Sequence, residues 1–247
     1  MAKIVDNLRL SEDFFLMKVA HKDSAEMGQF YMLRAWEDQY PLLSRPISIF
    51  DIDKETVSFL YKPVGKGTHI LSELKKDDDI SLLGPNGNGF PQVKGRVALV
   101  GGGLGIAPFY LTAKRLKEYD PGNLVDVYLG FSGTPVFAKE YEEVADSAFV
   151  NVGGFITDCI SPEKYDYIFT CGPEIMMKAL YNKCCEQGVG ERLYVSLEER
   201  MVCGFGICVC CVVRIKSKGS TDGFEHKKVC TDGPVFRCEE VVFNEQS

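Results

Sequence analysis

The sequence predicts an antiparallel β-barrel, then a parallel-sheet α/β domain, then a small cysteine-rich lobe. Three observations predict it. Residues 1–93 hold short apolar runs punctuated by turn residues, the spacing of an antiparallel all-β unit. From about Lys94 the pattern becomes strand–helix alternation, which packs as a parallel sheet with helices on both faces. Of the ten cysteines none precedes Cys159, and Cys203, Cys208, Cys210 and Cys211 crowd together. The expected units are 1–93, 94–196 and 197–247.

In the first unit, strands are expected at Phe14–Ala20, Gly28–Ala35, Ile47–Ile52, Val57–Tyr61 and Ile80–Leu83. Asp53-Lys54, Gly65-Lys66-Gly67 and the run from Gly84 to Gly89 separate them. Thr68–Lys75 reads as one short helix with Thr68 as its N-cap. In the second unit the apolar run Val97–Val100 opens onto glycines, and Pro108–Tyr119 follows with helical spacing. Strands at Val125–Phe131, Phe149–Val152, Tyr167–Cys171 and Arg192–Ser196 alternate with helices at Ala138–Ala145 and Glu174–Gln187. From Leu197 onward, β character is expected at Val209–Ile215 and near the end.

The chain has 247 residues, 45% of them apolar, and a formal net charge of −7. A core of useful size can be buried, so wholesale disorder is excluded. No basic run exceeds two residues, which argues against a nucleic-acid partner. No secretory h-region and no apolar stretch of bilayer length occur, so a cytoplasmic protein with no membrane association is expected. In a reducing compartment a dense group of cysteines reads as metal or cluster ligation before disulfides. The histidines His21, His69 and His226 stand at no metal-ligand spacing.

Gly101–Gly105 joins a strand to a helix whose start is marked by Pro108. Glycine lets a backbone approach a pyrophosphate, and the helix start supplies free N–H groups and a positive dipole end. The loop departs from G-x-G-x-x-G by ending in proline, which pre-sets φ for the first turn. A tight βα turn with no ligand is the plain alternative. Cys171-Gly172-Pro173 also lies at a strand end, where open α/β sheets bind ligands. Cys171 has no base beside it in sequence, so taken alone it reads as a packing residue. Cys203-x4-Cys208-x2-Cys211 with a later Cys230 has the ligand order of plant-type [2Fe–2S] proteins. Structural zinc usually takes two C-x2-C knuckles and this sequence has one, so the spacing favours a [2Fe–2S] cluster while leaving zinc open. Cys159, Cys184, Cys185 and Cys238 read as structural, and Cys210 as surplus.

With these motifs in order, the whole chain resembles the ferredoxin reductase superfamily. The resemblance implies an antiparallel FAD-binding barrel followed by a nicotinamide-binding α/β domain. Arg45-Pro46-Ile47-Ser48 resembles the flavin motif, in which the arginine pairs with the FAD pyrophosphate and the serine sits by flavin N5. Gly65-Lys66-Gly67-Thr68 resembles the segment that holds the pyrophosphate at a helix start. Gly103, Gly105 and Pro108, with Cys171-Gly172-Pro173, resemble the NAD(H) half, the cysteine lying beside the nicotinamide. Ile47 stands where many relatives have a tyrosine, so Phe59–Lys62, with Tyr61 and Lys62, is expected to supply the missing flavin contact.

The run from Ser196 to Cys208, with Val229–Phe236, is most similar to electron-transfer subunits of type 1B dihydroorotate dehydrogenase. That likeness implies FAD, a [2Fe–2S] cluster on Cys203, Cys208, Cys211 and Cys230, and NAD(H). It also implies an FMN-containing catalytic partner in a tetramer of two copies of each. Cys210 stands where relatives have a small residue, which leaves the third ligand ambiguous. Flavin exchanges two electrons with nicotinamide and one with a cluster, so alignment by Ser48 and Cys171 replaces acid–base chemistry. NAD is preferred to NADP, because no Arg or Lys follows Phe131 until Lys139. The rival readings are a small subunit of a ferredoxin-linked transhydrogenase or hydrogenase diaphorase, a zinc or nucleotide sensor, and a stand-alone flavin reductase.

Overall fold

The computed structural model describes residues 1–37 and 40–243. Six strands close the barrel: β1 (Ala2–Arg9), β2 (Phe15–Ala20), β3 (Phe30–Arg34), β4 (Arg45–Ile52), β5 (Thr56–Tyr61) and β6 (Asp79–Asn86), in the order β1-β2-β5-β4-β3-β6. β1 is an addition to the sequence expectation. Ile4 is its one buried residue, so it carries no alternation to read. Barrel closure selects it, through pairing with β2 on one side and β6 on the other.

The short helix α1 spans Lys66–Glu73, two residues earlier than expected. Gly65 is its N-cap, and Thr68 lies three positions inside. The Thr68 hydroxyl accepts the N–H groups of Val64 (2.9 Å) and Gly65 (3.1 Å), and so pins the loop that enters the helix.

The second unit contains β7 (Arg96–Gly102), α2 (Ala107–Tyr119), β8 (Leu124–Phe131), α3 (Ala138–Val144), β9 (Ser147–Val152), β10 (Tyr167–Cys171), α4 (Glu174–Glu186) and β11 (Leu193–Ser196). Five parallel strands take the order β11-β10-β7-β8-β9. β7, β8 and β10 are buried along nearly their whole length, as a sheet covered on both faces requires. The hairpin of β12 (Val212–Lys216) and β13 (Phe224–Lys228) follows. The last strand, β14 (Val235–Arg237), returns to pair antiparallel with β11. The sheet is therefore mixed, and residues of the C-terminal lobe complete it.

The parts share their cores. Phe50 of the barrel stacks on Tyr110 of α2, and Phe90 on Phe169 of β10, each with ring centroids 4.7 Å apart. Lys114 of α2 pairs with Asp51 of β4 at 2.5 Å. Phe30 and Met32 of the barrel join a cluster with Val195, Leu197, Met201, Cys211 and Cys230. Asn88 donates through its side chain to the Thr231 carbonyl at 3.0 Å, tying the barrel to the lobe. Among the described residues, no helix is long and apolar enough to cross a membrane.

Candidate functional site

Arg45 begins β4 and lies against the start of α1, where a Cβ on Gly67 would stand 2.6 Å from Arg45 Nε. Its guanidinium donates to the Leu43 carbonyl and lies 5.7 Å from the Trp36 ring centroid. A cation and a helix start converge at one point, which is the physical requirement for a bound pyrophosphate. Gly65, Lys66 and Thr68 form the other side of that point.

Beside it, a slot of about 160 Å³ separates the barrel from the α/β unit. Pro46, Ile47, Ser48, Leu60 and Phe30 form the barrel wall, and Leu104, Ala107 and Ser196 the opposite one. Two apolar walls with one hydroxyl between them suit a flat polycyclic ring carrying few polar atoms. Here an expectation is corrected. Tyr61 and Phe59 have 0% exposure and point into the barrel interior, the Tyr61 hydroxyl donating to Asn7 Oδ1 at 3.0 Å. Strand side chains alternate faces, so Leu60 is the residue of β5 that reaches the slot. Phe30, absent from the sequence reading, supplies the aromatic surface.

The glycine loop lies at the carboxyl end of β7. β8 follows β7 in sequence on one side of it and β10 lies on the other, so the strand order reverses there. Gly103 has φ +57°, and a Cβ there would meet nothing within 4 Å. Gly105 packs against the Cys171–Gly172 backbone with no room for a Cβ. Pro108 opens α2. The loop borders a cleft of about 490 Å³ whose far walls are Gly172, Pro173 and Glu174, then Glu198, Arg214 and Phe243.

Cys171 is also corrected. It is 1% exposed and lines neither cavity. Burial pushes its thiol well above the usual range, Glu198 adds to this, and a hydrogen bond with Ser196 offsets part of it. The thiol is a buried packing group outside the cleft lining, while Gly172 and Pro173 reach the cleft itself.

The cysteine loop wraps with Gly204 at φ +82° and Gly206 at φ +90°. Cys203 Sγ accepts the Cys208 N–H at 3.4 Å. Burial pushes the Cys203 thiol up, but the N–H groups of Cys208, Phe205 and Ile207 outweigh it and bring it down to about 6. Donors poised on a sulfur are what a thiolate ligand needs. Cys230 is pushed up to about 11 by burial and then by its contact with the Cys211 sulfur. The sulfurs thus meet as two pairs, 203 with 208 and 211 with 230. Among the described residues, no three His, Cys, Asp or Glu side chains surround one point closely enough for a single ion. Two pairs fit a binuclear cluster better than a tetrahedral zinc. Cys210 is exposed, and its thiol donates to the Arg200 carbonyl at 3.3 Å, so it faces away from the other sulfurs.

Known proteins resemble the chain over nearly its whole length. Residues 198–242 match the iron–sulfur cluster binding domain of dihydroorotate dehydrogenase B. Over 98% of its length the chain is 39% identical to the dihydroorotate dehydrogenase B (NAD(+)) electron transfer subunit of Clostridium acetobutylicum, of which 97% is covered. The chain belongs to that family. The Clostridium perfringens subunit is 37% identical, with 98% of this chain and 97% of that one covered. Among solved structures, an NADH-dependent reduced ferredoxin–NADP oxidoreductase studied for flavin-based electron bifurcation aligns with TM-score 0.84 and 32% identity, covering 98% of this chain and 90% of its own. A Neisseria gonorrhoeae ferredoxin NADP+ reductase with bound FAD and NADP aligns with TM-score 0.64 and 17% identity, covering 78% and 96%. That second likeness shows the fold.

In this electron transfer subunit family member, the segment after β11 ties the site together. Glu198 lines both the slot and the larger cleft. Much of the residue reaches solvent, yet desolvation raises its carboxyl above the usual range. Met201 borders the slot and packs with Cys211 and Cys230. Both residues lie in the Ser196–Cys208 run that carries the family likeness, but neither is singled out there as a site residue.

Proposed function

We propose that this subunit carries electrons between NAD and an FMN-containing catalytic subunit that oxidises dihydroorotate, in a cytoplasmic tetramer of two copies of each. The observation that supports it most is the continuity of the segment from Ser196 to Cys203, which runs from the slot, past the nucleotide cleft, to the first cluster cysteine. The working parts are a barrel over 1–93, a nucleotide unit over 94–196 and a cluster lobe from 197, with β14 lent back to the sheet.

FAD fits the residues present. Arg45 with Gly65, Lys66, Gly67 and Thr68 would hold its pyrophosphate, and Pro46, Ile47, Ser48 and Leu60 its ring. Lys62, expected to add a flavin contact, instead lines a separate cavity beside Ser132–Thr134, where it pairs with Asp13. A [2Fe–2S] cluster fits Cys203, Cys208, Cys211 and Cys230. NAD(H) fits Gly103, Gly105, Pro108, Gly172 and Pro173. When bound, FAD supplies the exchange between hydride and single electrons, and the cluster supplies the one-electron step. The protein aligns and encloses. Ser48 presents a hydroxyl to the ring, and Glu198 borders both the ring slot and the nucleotide cleft. Phe205, Ile207 and Val209, exposed around the cysteines, offer the partner an apolar face.

The test is an anaerobic NADH titration of the purified protein, followed by visible absorption. Flavin bands and broad iron–sulfur absorption are expected, both bleached by NADH. Adding the catalytic subunit and dihydroorotate with NAD+ should then produce NADH. A colourless protein after reconstitution with FAD, iron and sulfide would defeat the reading. NADH bleaching without any coupling to the dihydroorotate-oxidising subunit would favour the transhydrogenase subunit, whose structural relative covers nearly the whole chain.

A further inference from the structure

The sequence leaves the choice between NAD and NADP to an absence, since β8 is followed by neither a cation nor an acidic residue that would mark a ribose site. The fold supplies what the strand lacks. A cavity of about 200 Å³ lies at the carboxyl end of β8, lined by Ser132, Gly133 and Thr134. Its opposite wall comes from the barrel: Glu12, Asp13 and Phe14 of the β1–β2 turn, and Lys62 after β5. Gly103 lines this cavity and also the larger cleft on the β10 side. The two cavities therefore meet on the phosphate loop, at the glycine whose Cβ position is open space. A dinucleotide with its phosphates at Gly103 has one half in each. The β8 side is the end at which a doubly wound sheet receives the adenosine ribose.

We propose that this cavity holds the adenosine ribose of the nicotinamide nucleotide, and that Asp13, assisted by Glu12, makes it selective for NAD(H) over NADP(H). The proposal rests on the function given above and adds the residues that choose the coenzyme. The argument is electrostatic. Lys62 is the one cation among the lining residues, and its ammonium is 3.4 Å from Asp13 Oδ2 and 4.2 Å from the centroid of the Phe14 ring. Asp13 thus neutralises the group that a 2′-phosphate would need. Glu12 adds a second carboxylate to the same wall, on the turn whose Ser11 and Glu12 carbonyls accept from the Arg9 guanidinium at 3.1 and 3.2 Å. A ribose 2′-hydroxyl can donate to a carboxylate, whereas a 2′-phosphate dianion meets repulsion. The turn that presents the carboxylates is ordered by the Ser11 hydroxyl, which accepts the N–H groups of Asp13 and Phe14, both at 3.3 Å. The plain alternative is that Asp13 and Lys62 form a surface ion pair with no bearing on nucleotides.

Calorimetric binding of 5′-ADP and 2′,5′-ADP to the intact protein decides between them, because these fragments probe the adenosine end without any electron transfer. Wild type is expected to bind 5′-ADP more tightly than 2′,5′-ADP. Asp13→Asn should shift the ratio toward 2′,5′-ADP by on the order of tenfold, and Glu12→Gln by less. Gly133→Arg adds a cation where the structure leaves space for a side chain, and should shift the ratio in the same direction. Adding Lys62→Met to Asp13→Asn should remove the gain. A ratio unchanged in both Asp13→Asn and Gly133→Arg, or no binding of either fragment, would overturn the proposal. If the fragments bind with this selectivity while NADH fails to bleach a flavin, the electron-transfer reading fails and the assignment of the cavity stands.

Discussion

The central strands of the nucleotide sheet and the loop carrying the first three cluster cysteines are ordered by different physics. β7, β8 and β10 are buried and hydrogen-bonded along their length. Within them Asp126 accepts from Arg96 and from the Tyr165 hydroxyl, each at 2.8 Å, and Tyr165 meets the Tyr128 hydroxyl at 2.7 Å. The loop from Cys203 to Cys211 has no ladder partner. Ile207 is 80% exposed and Val209 73%. Besides its sulfur contacts, the loop is held by the Lys228 ammonium donating to the Gly206 carbonyl at 2.6 Å, by the Val229 N–H donating to the Cys211 carbonyl at 2.8 Å, and by Gly204 packing on Met32 and Gly206 on Thr231. Burial fixes the sheet whatever is bound. The loop has little of the burial and pairing that hold the sheet, which leaves its order open to a bound cluster in the proposed function.

The largest predicted effect separates the two directly. Removing the cluster by chelation or by Cys208→Ser should abolish iron–sulfur absorption. It should also lower amide protection across residues 203–211 by on the order of a hundredfold, while β7, β8 and β10 keep theirs. Hydrogen exchange resolved by mass spectrometry reads both regions at once. Equal loss of protection in the sheet would mean that the cluster stabilises the whole chain and that the contrast is wrong.

The next effect breaks the sheet and spares the loop. Asp126→Ala removes the carboxylate that Arg96 pairs with and leaves the Tyr165 hydroxyl only its Tyr128 partner, and should cost about 2–3 kcal/mol. For a chain of this size that is a fall of roughly 5–10 °C in Tm. Arg96 keeps solvent access, which holds the cost at the lower end of buried ion pairs. Cluster absorption at low temperature should be unchanged. A variant that lost its cluster before its sheet would show that the two are coupled through the shared core around Val195 and Met201.

The same contrast explains what could be read in advance. The Cys203-x4-Cys208-x2-Cys211 spacing carries the expectation of a cluster without any structure, and β7, β8 and β10 are near-continuous apolar runs, so the sheet showed in the sequence. β1 did not, because closure of the barrel and not burial makes it a strand. The facing of β5 did not, because Val57–Tyr61 is apolar at four of five positions and so does not mark which side chains face inward. Leu60 and Phe30 were therefore missed in favour of Tyr61. The Cys-Gly-Pro motif located a strand end but not the register that turns the Cys171 thiol toward Ser196. The return of β14 is three residues long and non-local, a pairing that local patterns do not carry.

The smallest effect lies at Glu198, where sheet and loop meet. Desolvation raises its carboxyl in the folded chain. A carboxyl whose folded pKa exceeds its unfolded value destabilises the native state above that folded pKa. The penalty fades as pH falls through the raised value, and it vanishes below the unfolded value of about 4.3. Glu198→Gln removes the titration. The variant should therefore be slightly more stable than wild type at pH 7–8 and indistinguishable from it near pH 4, by an amount well below the Asp126 effect because the residue keeps solvent access. Thermal melts of both proteins across that range give the comparison, with slower flavin bleaching by NADH as the accompanying loss. Parallel pH profiles would place the Glu198 carboxyl in a solvated environment and remove it from the junction between slot and cleft.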